Sequence, residues 1–191
     1  MSWRALENAE PLPEVGITEG LVFEALFLRG LDTPPELRRA LSGIGVDLDQ
    51  LAPRYPSTLW IASIDLARSY LYPHASSSEA AERELGRKFM AGFFRTVTGR
   101  VLAAVLPFMT ISSVAQRLPR YYRMGRNDFV MDVEEVGPRE VRIHVADPAT
   151  ARPWFFAGMT EAGLERVGAP FRLEMMPRDT WRFEVSLSWS A

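Results

Sequence analysis

The sequence lacks cysteine and has only two histidines and one lysine among its 191 residues. Without cysteine the chain has no disulfide scaffold, cysteine nucleophile, iron–sulfur cluster or thiolate-bound zinc. His74 and His144 are too few to build a metal site from imidazoles alone. A chain of this length buries about 70% of the surface that its unfolded form exposes, so no such cross-link is needed to stabilise a core.

A long hydrophobic run is also missing. The longest apolar stretch, residues 101–115, is too short to cross a bilayer and contains Pro107. Residues 1–14 are polar and acidic and lack the basic start and apolar core of a signal peptide. These features predict a cytoplasmic protein with no membrane span, in which residues 1–14 form a loose N-terminal arm.

The formal net charge of −2 argues against non-specific binding to nucleic acid or to an anionic membrane, which needs a positive field. Residues 1–86 carry −6, residues 87–127 carry +8 without a single acid, and residues 128–191 carry −4. The basic segment has two interpretations: its arginines pair with the acidic flanks, or they bind an anion or a protein partner. The candidate patch consists of Arg117, Arg120, Arg123 and Arg126.

Apolar spacing predicts a helical first half. Residues 18–31 fit both a strand and a helix, so their periodicity leaves the structure open. Thr33 is expected to cap a short helix that runs to Leu41 and stops at Ser42-Gly43, with Glu36 at the capping-box position. A further helix is predicted over residues 58–70, where apolar side chains recur three or four positions apart.

The longest predicted helix follows Ser76–Ser78, a run that supplies its N-cap. Its apolar residues recur every four positions from Leu85 to Val105, which indicates one central core helix. Gly86 and Gly92 lie along this helix and would allow another backbone to approach closely.

After Pro119 the apolar period changes to two, which is typical of strands. A helix over residues 154–167, ended by Gly168, separates two predicted strand pairs. His144 lies on the polar face of the first pair and is expected to point to solvent. The predicted strands cover residues 128–133, 140–145, 171–175 and 181–189.

The order of these elements predicts an α+β fold in a single domain over residues 1–191. N-terminal helices with one long central helix pack on a C-terminal antiparallel β-β-α-β-β sheet module. The sequence contains no Gly-x-Ser-x-Gly elbow, P-loop or calcium loop. A non-enzymatic protein without a cofactor or metal is therefore predicted.

Short motifs that recur in order along nearly the whole chain carry a resemblance to a known family. They include Phe23-Glu24-Ala25-Leu26-Phe27, Tyr55-Pro56-x-x-x-Trp60, Leu71-Tyr72-Pro73, Gly92-Phe93-Phe94-x-Thr96 and Arg117-Leu118-Pro119-Arg120. Together they resemble an expanded paralogous family of myxobacterial proteins of about one domain's length, classed as a domain of unknown function. The resemblance implies no established biochemistry.

More distantly, the element order with Gly158, Gly163 and Gly168 before the last hairpin is similar to a shared ligand-sensing fold. Haem–nitric-oxide sensors, vinyl-4-reductase domains and small subunits of the TRAPP tethering complex have this fold. The haem sensors use an axial histidine and a Tyr-x-Ser-x-Arg motif, whereas the stretch Tyr122–Arg126 has methionine at the serine position. Zinc and acyl groups in the other relatives need cysteine, so a cofactor-free version of the fold is expected.

Two functions follow from these observations. The leading one is a regulatory or scaffolding module in bacterial signalling that acts through protein contacts, as a homodimer formed through the early helices. The alternative is a sensor that encloses a small apolar ligand or lipid between the long helix and the sheet. Ordinary core packing is the other interpretation of the six candidate pocket residues, which are Phe89, Phe93, Phe94, Val97, Leu102 and Met109.

Overall fold

In the computed structural model, which describes residues 16–147 and 151–190, the first half of the chain is mainly helical. The predicted arm over residues 1–14 lies outside the described residues. Two short antiparallel strands, β1 and β2, pair beside the helices. The elements are β1 (Ile17–Glu19), α1 (Gly20–Phe23), a π-helix (Glu24–Gly30), α2 (Pro35–Gly43), β2 (Arg54–Pro56) and α3 (Ser57–Leu71).

An aromatic cluster explains why residues 18–31 are mostly helical. Phe23 and Phe27 lie four positions apart, and both rings contact Trp60 of α3 edge-on, with centroids 5.2 and 6.3 Å away. Tyr55 of β2 stacks against Phe23 at 4.5 Å. A helix places both phenylalanines on one buried face, and such ring pairs stabilise the fold beyond the area they bury.

Thr33 does not cap α2, contrary to the prediction. Pro34 occupies the N-cap position, and the Thr33 hydroxyl donates a hydrogen bond to the carbonyl oxygen of Phe27 at 2.6 Å. Threonine therefore closes the end of the π-helix rather than opening the next helix.

The predicted long helix is wrong, because residues 78–105 form two helices. Helix α4 (Ser78–Phe93) begins as predicted, with the Ser77 hydroxyl accepting a hydrogen bond from the Ala80 amide at 3.1 Å. Helix α5 (Val97–Val105) then leaves at 96°, capped by Thr96, whose hydroxyl accepts a hydrogen bond from the Gly99 amide at 3.0 Å. A four-residue apolar spacing continues through such a break, so periodicity alone did not reveal it.

The second half of the chain contains the sheet, and its antiparallel β-β-α-β-β order confirms the predicted α+β class. The strand order is β3-β4-β6-β5, with Ile143 paired to Val133 on one side and to Val185 on the other. The single-domain assignment stays a prediction. The elements are a 3-10 turn (Leu106–Phe108), α6 (Ile111–Ala115), α7 (Leu118–Arg123), β3 (Val130–Gly137), β4 (Glu140–Ala146), α8 (Pro153–Leu164), β5 (Phe171–Pro177) and β6 (Arg182–Trp189).

Helices α4 and α8 cross with their backbones in contact. A Cβ atom added to Gly86 would overlap the carbonyl oxygen of Phe155, and one added to Gly158 would overlap the carbonyl oxygen of Arg83. On its other side α4 meets the π-helix in the same way, through Gly92. The predicted close approach is confirmed, and the helix pair separates a helical core around Trp60 from a core on the sheet.

Within the described ranges, no single helix has both the length and the apolar character needed to cross a bilayer. Helices α4 and α5 pass that test by length and composition only when taken together, and the 96° bend separates them.

We expect Gly158→Ala to destabilise the protein by about 1–3 kcal/mol, because the added methyl must push two helix backbones apart. Gly163→Ala on the same helix is the matched control, since its nearest neighbour would be the flexible Met90 side chain at 3.7 Å. The control should stabilise by up to about 1 kcal/mol through helix propensity. Urea unfolding measures the change in free energy of unfolding of each variant from the shift in its midpoint, provided that the m value stays unchanged. Equal effects of the two substitutions would contradict the backbone-contact explanation.

Candidate functional site

A cavity of about 170 Å³ lies between the helices and the sheet and is partly open to solvent. Its walls come from α3, α4, α5, α7, α8 and the sheet. Three of the six predicted pocket residues, Phe89, Phe93 and Leu102, line it.

The other three predicted pocket residues lie elsewhere. Phe94 is buried in the sheet-side core, with the Arg166 guanidinium 5.0 Å from its ring centroid. Val97 is 75% exposed on the outer face of α5. Met109 follows the 3-10 turn, and its Sδ atom lies 3.7 Å from Nη1 of Arg117, which donates a weak hydrogen bond to it. The bend at Thr96 explains the position of Val97, because a straight helix would have kept it on the same face as Phe89 and Phe93. Phe94 precedes the bend and differs from Phe93 by one residue, which turns it to another side of the helix.

The cavity wall is mainly aromatic and aliphatic. The rings of Phe89 and Phe93 lie 6.2 Å apart, and that of Phe155 lies 5.9 Å from Phe89. On the sheet side, Phe156 contacts Phe183 at 5.3 Å. Four flexible methionines also line the space, and thioether side chains adapt readily to the shape of an apolar guest. They are Met90, Met124, Met131 and Met159.

Arg126 and Asp147 form a polar end of the cavity. The Arg126 guanidinium donates two hydrogen bonds to Asp128 and two to Asp147, each 2.9 Å long. Desolvation lowers the pKa of Arg126, but the attraction of Asp147 and the bonds to both carboxylates outweigh it, so the net shift is upward. The two acids therefore take four of the five guanidinium N–H donors, each in the bidentate geometry that arginine favours.

This ionic cluster also joins the two halves of the chain. Asp128 precedes β3 and Asp147 follows β4. The backbone of Arg126 forms an isolated antiparallel β-bridge with Thr18 of β1. The Glu19 amide donates a hydrogen bond to the Gly125 carbonyl oxygen at 2.9 Å. The segment that supplies the arginine is thus held by β1 on one side and by the sheet on the other.

A second arginine, Arg152 at the start of α8, also lines the cavity. Its guanidinium forms an ion pair with Asp65 of α3 at 2.8 Å and donates a hydrogen bond to Glu82 of α4 at 2.6 Å. Its Nε is buried and has no hydrogen-bond partner in the described structure. Arg152 Nε is therefore a buried donor beside the cavity that no group within the described residues uses.

Tyr122 lines the cavity beside Phe156, with ring centroids 4.9 Å apart. Its hydroxyl lies 3.3 Å from the Thr160 hydroxyl. Burial raises the pKa of Tyr122 well above its usual value, and the hydrogen bond to Thr160 only partly opposes that shift. At neutral pH the cavity therefore holds a phenol and not a phenolate.

The four candidate patch arginines do not form one group. Arg126 is buried with its two carboxylates, whereas Arg117, Arg120 and Arg123 are exposed. Within residues 16–147 and 151–190, none of these three forms an ion pair with a carboxylate. Within the basic segment Arg87 also pairs with acids, Glu161 and Glu165, but among the four patch arginines such pairing applies to Arg126 alone. The anion or partner patch formed by the other three stays a prediction.

His144 does not point to solvent, contrary to the prediction. It lies on the outer face of the sheet but is only 3% exposed, with Glu134 at 3.2 Å and Glu184 at 3.6 Å. The hydrogen bond with His144 lowers the pKa of Glu134. Long side chains on the neighbouring strands bury this position, an effect that alternation along a single strand does not show. His74 is exposed in the loop after α3.

Comparison with solved structures identifies the class of fold as that of H-NOX domains. An H-NOX protein from S. oneidensis in the Fe(II)NO state superposes with a TM-score of 0.65 at 8% identity, covering 91% of this chain and 99% of that one. An H-NOX protein from K. algicida in the Fe(II) unliganded state superposes with a TM-score of 0.63 at 13% identity, covering 91% of this chain and 97% of that one. An oxygen-binding H-NOX domain related to soluble guanylate cyclases superposes with a TM-score of 0.58 at 14% identity, covering 90% of this chain and 92% of that one.

The chain itself belongs to a family described as "Protein of unknown function (DUF2378)", whose model matches residues 17–190. The predicted membership of an uncharacterised family and the predicted similarity to the haem-sensor fold are both confirmed. No curated protein matches the sequence.

The residues present do not fit haem. Neither histidine lines the cavity, since His144 lies on the opposite face of the sheet and His74 in an exposed loop. Arg126, at the arginine position of the Tyr-x-Ser-x-Arg pattern, already donates four hydrogen bonds to two carboxylates, with which a propionate would have to compete. Tyr122, whose pKa burial raises, stays a phenol and offers no phenolate oxygen as an axial ligand.

We expect Arg126→Met to destabilise the protein by about 3–5 kcal/mol, because the buried carboxylates of Asp128 and Asp147 would lose the guanidinium that pairs with them. Arg123→Met, one turn earlier and exposed, is the control and should change stability by no more than about 0.5 kcal/mol. Urea unfolding at neutral pH measures both variants. A loss below about 1 kcal/mol for Arg126→Met would show that the cluster is not structural.

The raised pKa of Tyr122 predicts a specific loss of stability at alkaline pH. The unfolded chain releases this phenolic proton near pH 10.0 and the folded chain does so only at higher pH, so the stabilising contribution is present below pH 10.0 and is lost above it. Tyr122→Phe should therefore lose less stability than the wild type between about pH 10 and 11. Urea midpoints across that range test this, and parallel curves for the two proteins would contradict it.

Proposed function

We propose that this chain is a non-catalytic sensor module with an H-NOX fold that encloses a small apolar ligand in place of haem. The observation that carries the proposal is the cavity of about 170 Å³ between helices and sheet, walled by aromatic and methionine side chains. Proteins of this fold are described as binding oxygen or nitric oxide at haem iron. This chain combines the same fold with an interior space but without residues suited to haem.

The cavity wall indicates the chemistry of the ligand. An apolar cavity of about 150 Å³ stays dry and admits benzene, so the space here suits a single ring or a short aliphatic chain. The methionines permit a range of shapes. The buried Nε of Arg152 offers one hydrogen bond that no described residue accepts, which would suit a carbonyl or hydroxyl oxygen of a neutral ligand.

The leading expectation from sequence, a regulatory or scaffolding module, has less support than this alternative. The H-NOX fold and the lined cavity favour ligand sensing, and no nucleophile–base pair lines the cavity to favour an enzyme. The homodimer through the early helices, the cytoplasmic location and the role in bacterial signalling stay predictions. Light scattering at two protein concentrations checks the first of them.

Benzene titration followed by thermal unfolding tests the cavity. A ligand that binds only the folded state stabilises it by mass action, so the Tm of the wild type should rise with benzene concentration. In Gly163→Leu, the new side chain starts beside Met90 and enters the cavity, so this variant should show a much smaller rise.

The matched control is Gly163→Ala, which adds only a methyl group at the same position and should keep most of the wild-type response. An equal Tm rise in wild type and Gly163→Leu would show that benzene binds elsewhere, and no rise in wild type would contradict the proposal. Native mass spectrometry of gently purified protein gives an independent result, since a retained small-molecule mass that Gly163→Leu lacks would identify the natural ligand.

A further inference from the structure

A row of exposed apolar side chains runs along the outer face of α5 and onto the 3-10 turn. Val97, Val101, Val105 and Phe108 follow a spacing of four, four and three residues, which aligns them on one side of a helix. They are 75%, 66%, 47% and 89% exposed. These four residues are called the α5 ridge below.

The α5 ridge projects from the surface and does not line a groove. A side chain on the wall of a groove loses much of its exposure to its neighbours, whereas Phe108 and Val97 keep most of theirs. The opposite face of the same helix turns inward, because Leu102 and Leu106 line the cavity. Contiguous exposed apolar groups of this kind mark a contact with another surface.

Only positive charges flank the ridge along the sequence. Arg100 lies one turn after Val97 on an exposed position of α5, and Arg117 contacts Met109 directly after the 3-10 turn. Neither arginine pairs with a carboxylate within the described ranges, and residues 85–127 contain no acid. The net charge of −2 therefore conceals one face where apolar and cationic groups occur together.

We propose that the α5 ridge is a docking surface for an anionic lipid bilayer. Phe108 and the valines enter the interface between headgroups and acyl chains, while Arg100 and Arg117 contact anionic headgroups. A bilayer is fluid and accepts a projecting ridge without a preformed groove. A second copy of the chain fits less well, since a two-fold contact through the ridge would bring Arg100 towards its own copy.

Vesicle sedimentation tests this inference with the wild-type chain. Binding to phosphatidylcholine vesicles that contain phosphatidylserine should exceed binding to pure phosphatidylcholine vesicles, and added salt should weaken it. The double variant Val101→Asn/Phe108→Ser should lose binding by about tenfold or more. The double variant Arg100→Gln/Arg117→Gln should lose the preference for phosphatidylserine.

Two matched controls separate the ridge from a general surface effect. Val136→Asn removes an exposed valine on the sheet, and Arg139→Gln removes an exposed arginine there, so both should bind vesicles like the wild type. Because the ridge side chains are exposed, their variants should keep the wild-type urea midpoint, which shows that they fold.

Three outcomes would overturn the proposal. Wild-type protein that binds neither vesicle type would do so, as would a ridge variant that binds as well as the wild type. A concentration-dependent dimer that the ridge variant abolishes, without vesicle binding by the wild type, would assign the ridge to a second copy of the chain.

Discussion

The buried contact of Arg126 with Asp128 and Asp147 is the interaction on which the rest of the architecture depends. It fixes the segment before β3 against the end of β4, and the backbone of the same segment pairs with β1. The helical half and the sheet half therefore meet at Arg126, which forms the ion pairs, bridges to β1 through its backbone and lines the cavity. Because removal of one partner would leave a buried charge, the junction is strongly constrained.

A second constraint is the direct contact between helix backbones at Gly86 and Gly158. Helix α4 lies directly against both α8 and the π-helix, so no side chain fits between the backbones where they touch. The aromatic side chains therefore lie on either side of these contacts. The aromatic groups that gather on the sheet side surround the cavity without closing it. Helix α5 then completes one wall with its inner face and presents its outer face to the surroundings.

The strands of the sheet and the Ser77 cap were predictable because each depends on neighbours in sequence, whereas the Thr33 cap was wrong; Gly86 and Gly92 indicated close helix contacts by their residue type alone. Alternation identifies β3 to β6, and Ser77 has the residue type and position of a cap. The bend at Thr96 was not predictable, because an apolar spacing of four runs through it unchanged, and Val97 therefore lies outside the cavity on the exposed face of α5. The burial of His144 and the pairing of Arg126 arise from residues distant in sequence, which no local pattern reports.

The pairing of each cavity arginine with two acids has a consequence for selectivity. Arg126 faces Asp128 and Asp147, and Arg152 faces Asp65 and Glu82, to which Arg68 also pairs. Both cavity guanidinium groups are thus already neutralised by carboxylates of the chain itself. An anionic ligand would have to displace one of those carboxylates, whereas a neutral molecule enters without breaking an ion pair.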